Sequence, residues 1–295
     1  MAVAQTARPA HVRHRLSATR RAFGRLTPLT MLAIAGLVFL VTAGLLANVL
    51  APYSPEAMHY DVLLQPPSSR FWFGTDDLGR DIFSRILFGL RNSIVTATAG
   101  LLVGTVLGAS LGLVSAYAGG FVDFVLQRFA EALIALPVLV IAIVMVAILG
   151  PSRLNVALAI AIALLSPYIR VVRAVALRIL GLPYCEAARA LGAGHLRILF
   201  RHVLPNCWSP IVALASVNFG VAILAEAGLS FLGLGLPPPA PSLGGMLTGS
   251  VQRYFYQAPW MAIFPGLVIT AIVLCANLVG DAVRDVLDPR SRWRV

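Results

Sequence analysis

Long apolar runs alternate with shorter polar segments along the whole chain. The runs lie near residues 30–50, 93–118, 121–149, 154–176, 207–232 and 259–282. Each reaches the ~20 residues that a helix needs to cross the hydrocarbon core of a bilayer. A helix is the natural solution there, because it satisfies its own backbone hydrogen bonds where no water can. The pattern predicts an all-α membrane protein with six transmembrane helices. It divides the chain into an N-terminal arm (1–29), a membrane domain (30–282) and a tail (283–295). Within the membrane domain the longer polar segments are 51–92, 177–206 and 233–258. The first apolar run is too long, its basic flank too extended and its downstream region too poor in a small-residue cleavage site for a secretory signal peptide, so it reads as a retained span.

Charge sets the orientation. Arg8, Arg13, Arg15, Arg20, Arg21 and Arg25 fill the first arm without an acid among them. Segment 177–206 carries Arg178, Arg189, Arg197 and Arg201 against Glu186 alone, and the tail carries Arg284, Arg290, Arg292 and Arg294. Segment 51–92 balances four Arg with five acids, and 233–258 has only Arg253. Arginine-rich short segments stay on the cytoplasmic side. Six crossings also put both termini on one side, so the two signals agree on N-in and C-in. The arm suits a topology signal that also touches anionic lipid headgroups. It has no interleaved aromatic platform of the kind that single-stranded nucleic acid would need.

All 23 basic residues are Arg and none is Lys. That excludes a Walker-type phosphate loop and Schiff-base or Ser-Lys chemistry in this chain. If ATP drives the protein, another chain hydrolyses it. Cys185, Cys207 and Cys275 lack metal-ligand spacing, and all five His fall outside the predicted spans. No metal or catalytic set is expected.

Several residues inside or beside the spans attract attention. Gly100, Gly104, Gly108 and Gly112 repeat at i+4 and form a smooth groove for close helix packing, either within the subunit or at a moving interface. Pro137 is expected to kink the third span. Glu226 sits in an apolar run, where an ionisable group is costly unless paired or wet. It is a candidate for the pathway or its outer gate, or an acid satisfied by a neighbour. Arg128 and Glu131 have the i, i+3 spacing of an ion pair at the inner boundary.

Two polar segments carry a recognisable grammar. In Glu186-Ala187-Ala188-Arg189-Ala190-Leu191-Gly192, Pro183 suits a first helical turn and the alanines favour helix. Gly192 suits a left-handed stop. A second helix over His195–Leu204 is expected, with Pro205 limiting its continuation. In Phe73-Gly74-Thr75-Asp76-Asp77-Leu78-Gly79-Arg80-Asp81, Thr75 or Asp76 suits a helix cap. Ile82, Ile86 and Leu90 then repeat at helical spacing, which suggests a helix lying along the outer membrane surface.

The first segment, with Leu204-Pro205 downstream, resembles the EAA loop of binding-protein-dependent ABC importer permeases. The second resembles the outer signature of the dipeptide/oligopeptide/nickel subfamily. Matches continue at Gly119-Gly120, Asp123, Arg128, Gly150-Pro151-Ser152, Ala225 to Gly235, Asn277 to Asp285 and Asp288-Pro289-Arg290. The likeness spans roughly 26–290 and is closest to the second permease of each pair. It implies the six-helix type I importer fold with a cytoplasmic coupling helix, in a bacterial or archaeal inner membrane. It implies as partners a second permease, two ATPase subunits that bind ATP and Mg, and an extracytoplasmic binding protein. Glu186, Ala187, Ala188, Leu191, Gly192, Leu204 and Pro205 would then form the ATPase-coupling loop, with Leu191 as an apolar plug. The implied cargo is a di- or oligopeptide, with nickel or a nickel chelate as the alternative. From a different class, an ion-coupled secondary transporter would use Glu226 as its coupling acid. An intramembrane enzyme lacks a clustered catalytic set, and a scaffold would leave the coupling loop without a purpose.

Overall fold

The computed structural model describes residues 27–287. The arginine arm up to residue 26 and the end of the tail, with Asp288, Pro289 and Arg290, lie outside the described residues.

Thr27 caps the first helix, α1 (Pro28–Leu45), by accepting from the Thr30 amide at 3.3 Å. Proline at its first turn needs no hydrogen-bond partner. Most of α1 is apolar and exposed, as a lipid-facing helix should be. It meets the bundle where small residues permit: a Cβ on Gly36 would lie 2.9 Å from Cys275 Sγ. A short turn, α2 (Ala47–Leu50), leads into the first polar segment.

The axis of the fold is α3 (Ile82–Ala118), 37 residues long. At 1.5 Å per residue it extends about 55 Å, well beyond a ~30 Å hydrocarbon core. Its two ends therefore project on opposite sides. The helix expected along the outer surface is not separate. Ile82, Ile86 and Leu90 are the first turns of α3 and are buried in the core. Leu243 and Met261, from later helices, share that core with them.

The glycine ladder of α3 seats the next membrane-crossing pair, α6 (Arg153–Ala163) and α7 (Leu165–Leu180). Each added Cβ would strike a backbone oxygen of that pair: Ala157 at 2.7 Å, Ala161 at 2.8 Å, Leu165 at 2.9 Å and Ile169 at 2.7 Å for Gly100, Gly104, Gly108 and Gly112 in turn. The groove is thus filled from within the same chain over all four steps. The pair bends by 42° at Leu164 and so follows the curve of α3.

The third apolar run differs from expectation. The disturbance expected at Pro137 is a sharp break rather than a mild kink: two helices, α4 (Gly120–Ile134) and α5 (Val138–Leu149), are set at 97°. Pro137 has no N–H to donate backward and disfavours helical geometry at Leu136, so the break falls between them. At 12 residues α5 is about 18 Å long and cannot cross the core alone.

The later helices close the bundle. α8 (Pro183–Ala190) and α9 (His195–Ile198) form a hairpin that passes through a π turn (Leu199–Val203) into α10 (Leu204–Phe231). Pro205 does not limit the helix, as expected from its chemistry, but opens α10. The wider π turn just before it removes the clash and the missing-donor penalty that a regular turn would impose. Segment 233–258 is not a plain loop: it contains α11 (Leu243–Arg253), capped by Ser242, with Leu243 buried in the core. The described residues end in α12 (Trp260–Leu287).

Four helical stretches are long and apolar enough to cross a membrane unbroken: α1, α3, His195–Phe231 and α12. Counting each bent pair as one span raises the number to six. One core runs through them, built from Leu90, Ile160, Tyr168, Ile223, Leu229 and Ile272 among others. A second cluster lies at the Ala118 end of α3. It joins Leu113, Val172, Ile179, Cys185, Ile198, Val203 and Cys207.

Candidate functional site

The hairpin of α8 and α9 stands at the Ala118 end of α3. Pro183 occupies the first turn of α8, and Glu186 lies in that turn with its side chain exposed. An acid there is favoured by the free amides of the helix start. Gly192 has φ +78° and nothing within 4 Å of where a Cβ would be. Its requirement is therefore conformational rather than steric, and an L side chain would be strained there. Two bonds complete the stop: Gly192 N to Arg189 O at 2.9 Å and Ala193 N to Ala188 O at 3.0 Å. The second spans five residues, the pattern of a Schellman cap.

Burial divides this hairpin into a root and a tip. Cys185, Ile198 and Val203 are buried against Ile179 and Val172 of α7. Tyr117 at the end of α3 meets His195 of α9 through a hydrogen bond and an edge-on ring contact. The tip carries Leu191, 88% exposed, with Leu196 and Phe200 also exposed beside it. Large apolar side chains on a hairpin rooted in the bundle give it a surface suited to contact with another protein. Ala187 is exposed and Ala188 half-buried, so α8 offers its thin side outward. Leu204 and Pro205 lie at the junction with α10 rather than at the tip.

Beside the root, a polar network joins three helices. Asp123 of α4 accepts from Arg173 of α7 through both oxygens, each at 2.5 Å, and from Ser115 Oγ of α3 at 2.5 Å. Gln127 adds a bond to Ser115 Oγ at 2.9 Å. This two-pronged pairing is the geometry in which Arg and carboxylate interact best. Arg128 pairs with Glu131 at 2.7 Å on the exposed side of α4. Sequence reasoning did not single out Arg173. The available signal was its place inside a predicted span, where an unpaired guanidinium is costly and a partner is required.

At the opposite, Ile82 end of α3 the outer motif folds into a compact turn. The expected cap was Thr75 or Asp76, but Asp81 caps α3: its Oδ2 accepts from Ser84 N at 2.8 Å and Ser84 Oγ at 2.6 Å. Asp76 instead holds the turn together. Its Oδ1 accepts from Leu78 N and Arg80 N, both at 2.9 Å, and its Oδ2 from Arg80 Nε at 2.7 Å. Thr75 Oγ1 donates to Val62 O at 2.5 Å and accepts from Gln65 N at 2.9 Å. Gly74 and Gly79 carry φ +78° and +72°, and a Cβ would strike the Gln65 carbonyl and Trp260 ring at the first and the His59 carbonyl at the second.

Glu226 of α10 is fully buried within the subunit. Ser230 Oγ donates to its Oε1 at 2.9 Å, and its Oε2 has no partner among the described residues. The hydroxyl of Ser93 on α3, also buried, is likewise unpartnered.

These features resemble known transport proteins. The sequence family described as binding-protein-dependent transport system inner membrane component matches residues 100–293. The chain is 41% identical over 269 residues to a di/tripeptide transport system permease protein of Pseudomonas aeruginosa, covering 88% of each chain. It is 43% identical over 256 residues to a glutathione transport system permease protein of Pectobacterium atrosepticum, covering 86% of this chain and 85% of the relative. A dipeptide transport system permease protein of Haemophilus influenzae is 41% identical over 88% of this chain and 91% of its own. Among solved structures, the methionine ABC transporter in an inward-facing conformation aligns with TM-score 0.54 at 17% identity, over 68% of this chain and 96% of that one. That likeness shows the fold, the type I ABC importer permease.

Proposed function

The chain belongs to the family of binding-protein-dependent transport system inner membrane components, and from that membership and the geometry above we propose that it forms half of the pathway of an ATP-driven importer of short peptides. As a member it is a multi-pass permease subunit of a bacterial inner membrane, and ATP hydrolysis belongs to separate subunits. The full assembly we propose has a second permease, two ATPase subunits carrying ATP and Mg, and a binding protein that delivers cargo from outside. The basic arm and the tail would lie in the cytoplasm with the hairpin. Ion-coupled transport, the rival from a different class, finds no support in the family.

The observation that carries this reading is the hairpin tip. Leu191 stands exposed on a rigid, glycine-stopped hairpin whose root is packed into the bundle. We assign Glu186, Ala187, Ala188, Leu191 and Gly192 to the contact with an ATPase subunit, with Leu204 and Pro205 transmitting its motion. The route is mechanical. The helical stretch from His195 to Phe231 is continuous, so displacement of the tip acts directly on α10. ATP can drive the cycle only if the closed ATPase pair favours one arrangement of the bundle over the other. The outer motif, from Gly74 to Asp81, serves as the brace of the opposite end.

The cargo class follows from the relatives, which are named for di- and tripeptides and for glutathione. A short peptide with free charged ends is common to all of them.

Uncoupling tests this function. Glu186→Arg and Gly192→Leu are expected to insert into the membrane normally but to lose ATP-driven peptide uptake in proteoliposomes. The glycine change adds left-handed strain of about 1–2 kcal/mol at the tip. Full uptake by both variants, with an active ATPase present, would remove the coupling role from this hairpin.

A further inference from the structure

The turn built by the outer motif does not close completely on its neighbours. A cavity of about 180 Å³ remains between it and α11. One wall carries Asp76, Asp77, Arg80 and Arg85, and the other carries Met246 and Ser250. Since a water occupies about 10–15 Å³ by this measure, the space holds on the order of ten waters or one small polar molecule.

Its charges are not equally satisfied. Arg85 is 7% exposed. Its Nη1 donates to the Pro55 carbonyl oxygen at 3.0 Å, but its buried Nε has no hydrogen-bond partner. The nearest acid oxygen is Asp76 Oδ2 at 3.5 Å. That oxygen is already engaged by Arg80 Nε, and Asp76 Oδ1 by two amides. The Ser250 hydroxyl turns away and donates to the Met246 carbonyl oxygen at 2.5 Å. So Arg85 lines the cavity with a mostly buried guanidinium that makes one hydrogen bond, to Pro55, and only a long ion pair with Asp76. Its planar fork suits a carboxylate. Across the same wall Asp77 is partly exposed, held only by a loose 3.9 Å approach to Arg80. It is free to receive a cation. Met246 supplies an unbranched, adaptable surface that tolerates different side chains.

We propose that this cavity is a staging site for the charged ends of a short zwitterionic peptide on the outer side of the subunit. Arg85, with Arg80, receives the carboxylate, and Asp77 receives the ammonium group. The site rests on the reading of the protein as a peptide importer. It adds a place within this subunit where cargo is held apart from the pathway between subunits, and it makes both free termini a condition for capture.

The test uses the whole importer in nanodiscs, without its binding protein, and radiolabelled alanyl-alanine as the probe. Wild type is expected to bind the dipeptide saturably. Met246→Trp, which fills the cavity, should abolish binding. Asp77→Asn should weaken it roughly tenfold, as should N-acetylation of the peptide, and the two together should cost no more than either alone. Arg85→Gln should erase the preference for the free carboxylate over its amide. Because Arg85 also braces the turn, co-purification with the ATPase must first show that this variant assembles, and the other two variants carry the test if it does not. Absence of saturable binding to wild type, or unchanged binding by Met246→Trp and Asp77→Asn, overturns the site. A parallel uptake assay with binding protein and ATP separates the two claims. Uptake without cavity binding removes the cavity and leaves the cargo class standing. Failure of wild type to import any short peptide removes the cargo class, and the staging site with it.

Discussion

Gly104 has no room for even one added methyl group, since its Cβ would lie 2.8 Å from Ala161 O and 3.1 Å from Ala161 Cα. Backbone cannot move aside as a flexible side chain can. Gly104→Ala should therefore destabilise the subunit by about 1–3 kcal/mol, the usual consequence of overpacking, and lower its thermal midpoint in detergent. An unchanged midpoint would mean that α3 and α6–α7 are not in close contact. The Asp123–Arg173 pair makes a second prediction at this scale. Both side chains are mostly covered, with 21% and 29% of their surfaces exposed. Removing either partner alone should cost about 1–3 kcal/mol, and a double-mutant cycle should show coupling of at least ~0.5 kcal/mol. Independent effects of the two substitutions would argue that the bond does not persist in the membrane. The glycine ladder was readable from spacing alone, because i+4 repetition implies one helix face. What that face met was not readable, since a groove serves an internal neighbour and a partner subunit equally well. Arg173 was hidden for the opposite reason: its meaning depends on an acid 50 positions earlier that only folding brings close.

Helices and their breaks follow local chemistry where one residue decides, and long-range packing where none does. Pro137 announced a disturbance, but its size depends on what the flanking helices pack against. α4 packs beside α7 through Asp123 and Ala130, whereas α5 joins the main core through Ala142 and Val146. Labels at the exposed positions Phe124 and Ile148 measure the outcome. A break of 97° places these backbone positions about 24 Å apart, whereas one continuous helix would place them about 36 Å apart. Pulsed electron spin resonance distances near the longer value would contradict the bent arrangement. Pro205 misled in the other direction, because a π turn upstream absorbed it. α11 gave almost no signal: it is short, glycine-rich and preceded by the proline cluster of 237–241. Its burial depends on the first turns of α3, which the sequence placed on the membrane surface. Asp81 takes the capping role expected of Thr75 or Asp76 for a related reason. An Asp at either position caps a helix well, and the left-handed turn at Gly79 between them leaves Asp81 at the free amides of α3.

The molecule as a whole places its two polar signatures at opposite ends of one helix. The outer motif caps α3 at Ile82, and the hairpin packs beside its last turn at Ala116 and Tyr117. A helix of about 55 Å cannot have both ends on the same side of a ~30 Å core that it crosses. With the arginine bias, this supports the proposed orientation, in which the hairpin lies in the cytoplasm within reach of an ATPase and the motif lies outside within reach of a binding protein. The central claim is that force enters through the exposed tip of that hairpin. A cysteine at Leu191 tests it most directly, in a background where the half-buried Cys275 is replaced by serine, because native Cys185 and Cys207 are buried. In the assembled importer carrying Leu191→Cys, a membrane-impermeant thiol reagent should label this position only from the cytoplasmic side. Oxidation should link it to a cysteine placed in the facing groove of the ATPase subunit and stop ATP-driven uptake, with reduction restoring it. Labelling from the outside, or undiminished uptake in the cross-linked complex, would contradict the account.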